Sequence, residues 1–185
     1  MIGDGFASVL EAAKDGAPWA FATLYRDLNP ALLRFFAARA PSESEDLTSE
    51  TWLHVARGLR SFDGNERELR GWIFTIAHRR LVQHWRSAAR RRSEPSAPEV
   101  IAELVGPEDT EAAALDASSA VSAARAIAAA LSRDQADVVI LRVVAGLDVA
   151  QVARILGKRE GTVRVLQHKA LRRLAARFPV EALTQ

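Results

Sequence analysis

The apolar positions fall at helical spacing along the whole chain. Phe21, Leu24, Tyr25 and Leu28 recur at i, i+3, i+4 and i+7, which is one face of an α-helix. Pro30 lacks an amide hydrogen and crowds the preceding turn, so it predicts a break or kink. Leu32, Leu33 and Phe36 resume the pattern beyond it, and Trp52, Val55, Ala56 and Leu59 repeat it. Ser61 to Leu69 reads as a loop with Asp63-Gly64-Asn65 as its turn signal, and a long helix is predicted from about Arg70 to Arg90. Ser118 to Leu131 forms a further helical pattern. The next opens with Ser132 and Gln135 in capping-box spacing and ends at Gly146. Another opens with Asp148 and Gln151 in the same spacing and ends at Gly157. The last starts near Glu160. No stretch alternates with period two, so the predicted fold class is all-α.

Charge divides this pattern. Arg57 to Arg92 holds ten Arg against three acids, and Arg133 to Arg177 holds ten basic residues against four. Between them, Ser93 to Ala124 holds seven Asp or Glu and no Lys or Arg, with Pro95, Pro98, Gly106 and Pro107 and room for a short turn at Val100 to Val105. The expected organisation is therefore a helical domain over 1–92, a flexible acidic linker over 93–124 and a second helical domain over 125–185. Two basic blocks point to polyanion contact at two places, which the net charge of +2 conceals. The absence of cysteine excludes disulfides and thiolate metal sites within the chain. The N-terminus lacks the pattern of a signal peptide, and no apolar run approaches membrane-spanning length.

Candidate chemistry follows the basic blocks. Val149, Val152, Ala153 and Leu156 share one helical face, Gly157 suits a left-handed turn, and a basic helix follows, which together make a helix-turn-helix signal. In the last helix Val163, Leu166, Ala170, Leu171 and Leu174 converge on one arc expected to face the core. Val165, His168, Lys169 and Arg172 face away, with Arg164 at the margin, as a helix needs to meet base edges in a major groove. Gln167 sits inside the apolar arc and is expected to bond a neighbouring backbone group. In the earlier block, Trp72, Thr75, Arg79, Gln83, Arg86 and Arg90 line one side of a helix. A ring for stacking and cations for the backbone suit single-stranded or melting DNA. Arg90-Arg91-Arg92 extends the row as a phosphate-contact cluster. His54, His78, His84 and His168 show no metal-ligand spacing. No nucleotide-binding loop or nucleophile motif occurs, so no enzyme, metal or cofactor is expected.

Four segments in order resemble the sigma-70 family, specifically the extracytoplasmic-function (group IV) sigma factors. AFATLYRDLNPALLRFF resembles the opening helix of region 2, and EDLTSETWLHVARGLRSFDG its polymerase-binding helix. RGWIFTIAHRRLVQHWR resembles the −10 helix, and LSRDQADVVILRVVAGLDVAQVARILGKREGTVRVLQHKALRRL resembles region 4. The resemblance implies a cytoplasmic, nucleoid-associated subunit that binds core RNA polymerase through the β′ clamp helices and the β flap, recognises promoter DNA and directs transcription initiation. It further implies an anti-sigma partner and no membrane insertion of this chain. By position, Asp46, Glu50 and Trp52 fall on the polymerase-binding motif. Asp63, Asn65, Arg67 and Arg70 fall in the base-capturing loop, with Trp72, Arg79, Gln83, Arg86 and Arg90 on the −10 helix. Arg159, Thr162, Arg164, Val165, His168, Lys169 and Arg172 fall on the −35 reader.

The sequence departs from the family at specific places. Ser49 stands where Gln is common, Arg79 where Asn is common, and Arg159 where a capping Ser is common. Thr162-Val163-Arg164-Val165-Leu166-Gln167 replaces the usual Thr-Val-Lys/Arg-Ser-Arg-Leu. Val165 cannot donate to a base edge but can pack on a thymine methyl. Two other readings stay open on the residues alone: a helix-turn-helix regulator that binds an operator without polymerase, and a helical interaction adaptor with incidental basic faces.

Overall fold

The computed structural model describes residues 2–93 and 121–178. The acidic segment over 94–120, including the turn expected at Val100 to Val105, lies outside the described residues. Among the described residues every regular element is helical.

A short helix, α1 (Phe6–Lys14), leads through Gly16, at φ +87°, into α2 (Pro18–Arg39). Pro18 occupies the first turn of α2, where its missing N–H leaves no bond unmade. Pro30 neither ends nor splits this helix, which runs through it to Arg39. Burial outweighs the one lost hydrogen bond: Leu24, Leu28, Leu32, Phe35 and Phe36 on both sides of Pro30 are 0–3% exposed. Each such side chain contributes roughly 1.5–3 kcal/mol when removed from water. Next come α3 (Ser44–Gly58) and α4 (Glu66–Ser93). Leu69, Ile73, Phe74, Ala77 and Leu81 form the buried stripe of α4, and Phe74 meets Phe35 of α2 edge-on at 5.7 Å. These four helices enclose the first core.

α4 begins four residues before the expected Arg70. Asn65 and Glu68 make a reciprocal cap: Asn65 N–H donates to Glu68 Oε2 at 2.8 Å, and Glu68 N–H donates to Asn65 Oδ1 at 3.0 Å. That arrangement satisfies two of the donors a helix N-terminus leaves open. Arg67 and Arg70 therefore lie in the first turns of a helix, not in a loop.

The second group opens with a helix described over 121–129 (α5), followed by α6 (Arg133–Val143), α7 (Val149–Leu156) and α8 (Glu160–Arg177). Residues 121–124, expected in the linker, are helical, and Ala124 is buried. Both expected capping boxes form. In the second, Asp148 Oδ1 accepts from Gln151 N–H at 2.7 Å and Asp148 N–H donates to Gln151 Oε1 at 3.1 Å. Gly157 takes φ +62°, and Lys158 N–H reaches back to Ala153 O at 2.9 Å, closing α7 with a Schellman turn. Only glycine enters that region without strain, so this residue sets the angle between α7 and α8. Val138, Leu141, Leu147, Val152 and Val163, all fully buried, join the first core to make one continuous apolar cluster, and Ala170 is fully buried as well.

Candidate nucleic-acid interface

α7, the Gly157 turn and α8 make a helix-turn-helix whose second helix shows one face to solvent. Arg159, Thr162, Arg164, Val165, His168, Lys169 and Arg172 are all exposed, as the spacing predicts for Val165, His168, Lys169 and Arg172. Arg159, Gly161, Thr162, Val165, Leu166 and Lys169 line a shallow groove along the first turns. Arg159 occupies the N-cap position without a side-chain cap bond, so the N–H groups there are open to an acceptor. Arg164 Nη2 lies 2.8 Å from Glu160 Oε2, a pair on the exposed face that an incoming phosphate or base can replace at small cost.

Two details of α8 differ from expectation. Leu171 is 48% exposed rather than part of the inward arc. It lies about 100° from Ala170, and the inner face is already filled by Val163 and Ala170. Gln167 bonds a side chain, not backbone: its Oε1 accepts from Arg142 Nε of α6 at 3.2 Å, while Arg142 Nη1 also donates to the Leu147 carbonyl. Arg142 thus ties the roll of α8 to the helix behind it.

On α4 the expected row is present. Arg79, Gln83, Arg86 and Arg90 are exposed, and with His78 and Val82 they line one concave surface. Trp72 is half-buried at its base, 5.3 Å from Phe62. The ring edges lie under Gly58, where a Cβ would come within 2.9 Å of Trp72, so that glycine makes room for the indole. Asp63 and Asn65 are exposed in the turn before α4. Arg67 and Arg70 are not free. Arg67 Nε donates to Asp148 Oδ2 at 2.8 Å, Arg70 Nη2 lies 3.1 Å from Asp27 Oδ2, and Arg70 Nη1 reaches the Ala145 carbonyl at 3.4 Å. Burial alone would raise Asp148, but the bonds from Gln151 and Arg67, with the Arg67 charge, outweigh it and hold its carboxyl below the usual range.

His78 shows the opposite character to its neighbours. Burial, with the charges of Arg133 and Arg39 added, lowers its pKa to about 4, so it is neutral at physiological pH. It adds shape and not charge to the α4 surface.

The segment around α3 separates two roles the sequence joined. Asp46 and Glu50 are exposed, and Arg80 Nη1 approaches Glu50 Oε2 at 3.4 Å. Trp52 is only 6% exposed. Its indole N–H donates to Asn29 Oδ1 at 3.0 Å, and its ring packs on Phe21 and Tyr25. It supports the face from beneath and does not present itself to a partner. The next residue, Leu53, is 57% exposed beside Glu50 and was missed because its apolar character argues for burial. Only the phase of α3, fixed by Trp52 and Val55 in the core, turns Leu53 outward.

Among the described residues no group of His, Asp or Glu is placed to hold a metal ion, and no helix is long and apolar enough to cross a membrane.

Comparison with known proteins matches these two surfaces to two family descriptions. Residues 20–91 match Sigma-70 region 2, and residues 122–174 match Sigma-70, region 4. The chain is 33% identical over 178 residues to the ECF RNA polymerase sigma factor BldN of Streptomyces coelicolor, covering 94% of this chain and 66% of that protein. It is 31% identical over 169 residues to the ECF RNA polymerase sigma factor SigL of Mycobacterium tuberculosis, covering 88% of this chain and 93% of that one. In fold it resembles CnrH, solved in complex with the cytosolic domain of CnrY, with a TM-score of 0.60 at 18% identity over 94% of this chain and 96% of that one. It also resembles the sigma factor RpoE of Bartonella quintana, solved in complex with the anti-sigma factor NepR, with a TM-score of 0.58 at 22% identity over 83% and 95%. With a region 2 bundle and a region 4 helix-turn-helix in that order, the chain belongs to the sigma-70 family, in its extracytoplasmic-function group.

Proposed function

We propose that the chain is a promoter-specificity subunit: it binds core RNA polymerase, recognises −35 and −10 promoter elements and directs transcription initiation. The observation that carries this reading is the pairing of two exposed cationic faces, on α4 and α8, on two separately capped helical units within one family member. The chemistry of RNA synthesis belongs to the polymerase, and no residue here is assigned a catalytic role. The division into 1–92, an acidic linker over 93–124 and 125–185 describes the parts, with the linker's last residues entering α5.

On α8, Val165, His168, Arg164 and Lys169 face the −35 base edges, while Arg159, Thr162 and Arg172 contact phosphate. Val165 supplies an apolar contact where a hydroxyl is usual, so it favours a thymine methyl. On α4, Arg79, Gln83, Arg86 and Arg90 track the backbone of the −10 strand. Asp63, Asn65, Arg67 and Arg70, with Trp72 below them, receive an unstacked base. Asp46, Glu50 and Leu53 form the polymerase-binding face, on the β′ clamp helices, with Trp52 holding its shape. Region 4 docks on the β flap. The chain works in the cytoplasm at the nucleoid. An anti-sigma protein regulates it, a reading supported by the NepR complex of the similar RpoE.

The test is reconstitution. Start-site mapping after overexpression gives candidate promoters, and the purified chain with cognate core polymerase must initiate on them in vitro. Failure on every mapped promoter rejects the reading. A footprint on duplex DNA without polymerase, with no polymerase-dependent initiation, supports a stand-alone helix-turn-helix regulator instead.

A further inference from the structure

The match to region 2 begins at residue 20, yet the chain ahead of it is folded onto the same body. Phe6, Val9, Leu10 and Ala13 of α1 are 4–8% exposed and belong to one apolar cluster with α2, α3 and α4. That burial explains why α1 forms. It does not explain the polar bonds at its two ends. Ahead of α1, Ile2 is right-handed at φ −77° and ψ −30°, and Gly3 takes φ +72°. Successive residues of opposite hand turn their N–H groups into one concavity, a backbone nest that suits an anion. The anion in it is the carboxylate of Glu66, 64 and 63 positions along the chain. Ile2 N–H donates to Glu66 Oε1, and Gly3 N–H donates to Glu66 Oε2 at 3.1 Å. At the other end of α1, the Lys14 carbonyl accepts from Arg60 Nε at 3.3 Å.

Arg60 and Glu66 stand on either side of the turn from Ser61 to Asn65, so α1 spans that turn like a strut. The contacts within the turn are local. Phe62 N–H donates to the Leu59 carbonyl at 3.0 Å, the Phe62 ring packs on Trp72, and Asn65 and Glu68 cap each other. Each of these joins the turn to the helix on one side of it, whereas α1 bonds both sides. We propose that α1 braces the turn for promoter opening: by holding Arg60 and Glu66 it fixes where the unstacked base is received. Glu66 is then a positioning residue that acts through the nest. An acid in the first turn of α4 suits the helix dipole. The dipole alone does not call for two N–H donors from the far end of the chain. The nest also answers a problem of charge. A bare carboxylate beside a nucleic-acid path repels phosphate, and the two N–H groups draw that charge inward, away from the strand. A turn held in place before the base arrives does not have to be ordered at the moment of capture, which saves entropy in the opening step.

This inference rests on the proposed role of region 2 in promoter opening, and its test separates the two. Ile2→Pro and Ile2→Ala form the deciding pair. Both remove the isoleucine side chain. Proline also removes the N–H that Glu66 accepts, and the φ of −77° at residue 2 suits its ring. In the full chain with cognate core polymerase, Ile2→Pro should open a mapped promoter at least about fivefold more slowly than Ile2→Ala, read by permanganate reactivity. Affinity for core polymerase should stay within about twofold of wild type in both variants. Equal opening by the two variants, or a loss of core affinity that matches the loss of opening, overturns the brace. Adding Glu66→Ala to Ile2→Pro should slow opening by no more than about twofold further, because both changes break one contact. A further loss of about fivefold would mean that Glu66 acts on DNA by itself, and would overturn its positioning role. If the wild-type chain opens no promoter with core polymerase, the functional reading fails, and the free chain decides on the brace. Amide exchange at Phe62 and Asn65, followed by NMR, should be at least about fivefold faster in Ile2→Pro than in Ile2→Ala, with Trp52 and Val55 of α3 unchanged. Equal exchange in the two variants overturns the brace.

Discussion

Neighbouring residues of α3 should give opposite phenotypes. Trp52 is 6% exposed, stacks on Phe21 and Tyr25, and satisfies Asn29, whereas Leu53 is 57% exposed with its side chain beside Glu50. Trp52→Ala leaves a cavity in a tightly filled site, which costs roughly 3–5 kcal/mol. The half-buried Asn29 amide also loses its donor, worth about 1 kcal/mol more. That sum is a large part of the 5–15 kcal/mol typical of a domain. Leu53→Ala exposes nothing new and should shift stability by no more than about 0.5 kcal/mol. If Leu53 anchors polymerase, its truncation should weaken core binding by about 1–2 kcal/mol, roughly 5- to 30-fold. Urea unfolding followed by circular dichroism measures the first quantity, and surface plasmon resonance on immobilised core polymerase measures the second. A Trp52→Ala protein within 1 kcal/mol of wild type would refute the burial argument. A Leu53→Ala protein of normal affinity would refute the proposed polymerase face.

Other outcomes follow from the same geometry. Arg164→Ala and Lys169→Ala should each cost about 1–3 kcal/mol on a cognate −35 duplex, measured by anisotropy of the polymerase complex. Equal losses on scrambled duplexes would reassign them to phosphate. His78 has a folded pKa of about 4 against 6.5 unfolded. The unfolded chain therefore takes up the proton first, and stability should fall as pH drops through 6.5 towards 4, by up to about 3 kcal/mol. His78→Gln should flatten that part of the urea-midpoint profile, and parallel profiles would refute it. Gly157→Ala must hold φ near +62°, which should lower stability by about 1–2 kcal/mol in thermal melts and weaken −35 binding by disturbing the α7–α8 angle. An unchanged melt would mean the turn tolerates a Cβ.

Local signals in the sequence are enough for much of this protein. Period 3.6 alone separates helix from strand, because each turn buries the same face whatever lies opposite. Ser132 with Gln135, Asp148 with Gln151, and Gly157 mark helix ends through bonds spanning three to five residues, and those bonds form as spaced. The outward row of α8 follows from the same arithmetic, apart from Leu171. The Asn65–Glu68 cap was equally local, but the Asp63-Gly64-Asn65 turn signal obscured it and placed Arg67 in a loop and the helix start at Arg70.

The tertiary structure decided what no spacing carries. Pro30 sits inside a continuous helix because the core on both sides of it outweighs one missing hydrogen bond. Trp52, placed by resemblance on the polymerase-binding motif, is instead held in the core by packing against Phe21 and Tyr25, and that packing leaves Leu53 on the outer face. The contacts of Arg67 with Asp148 and Arg39 with Asp137 join residues 81 and 98 positions apart, and nothing in either neighbourhood announces them. Sequence patterns report which face of a helix is apolar, since that depends on residues a few positions apart. Which charged groups meet across two domains depends on how the finished units rest on each other, and only the folded chain fixes that.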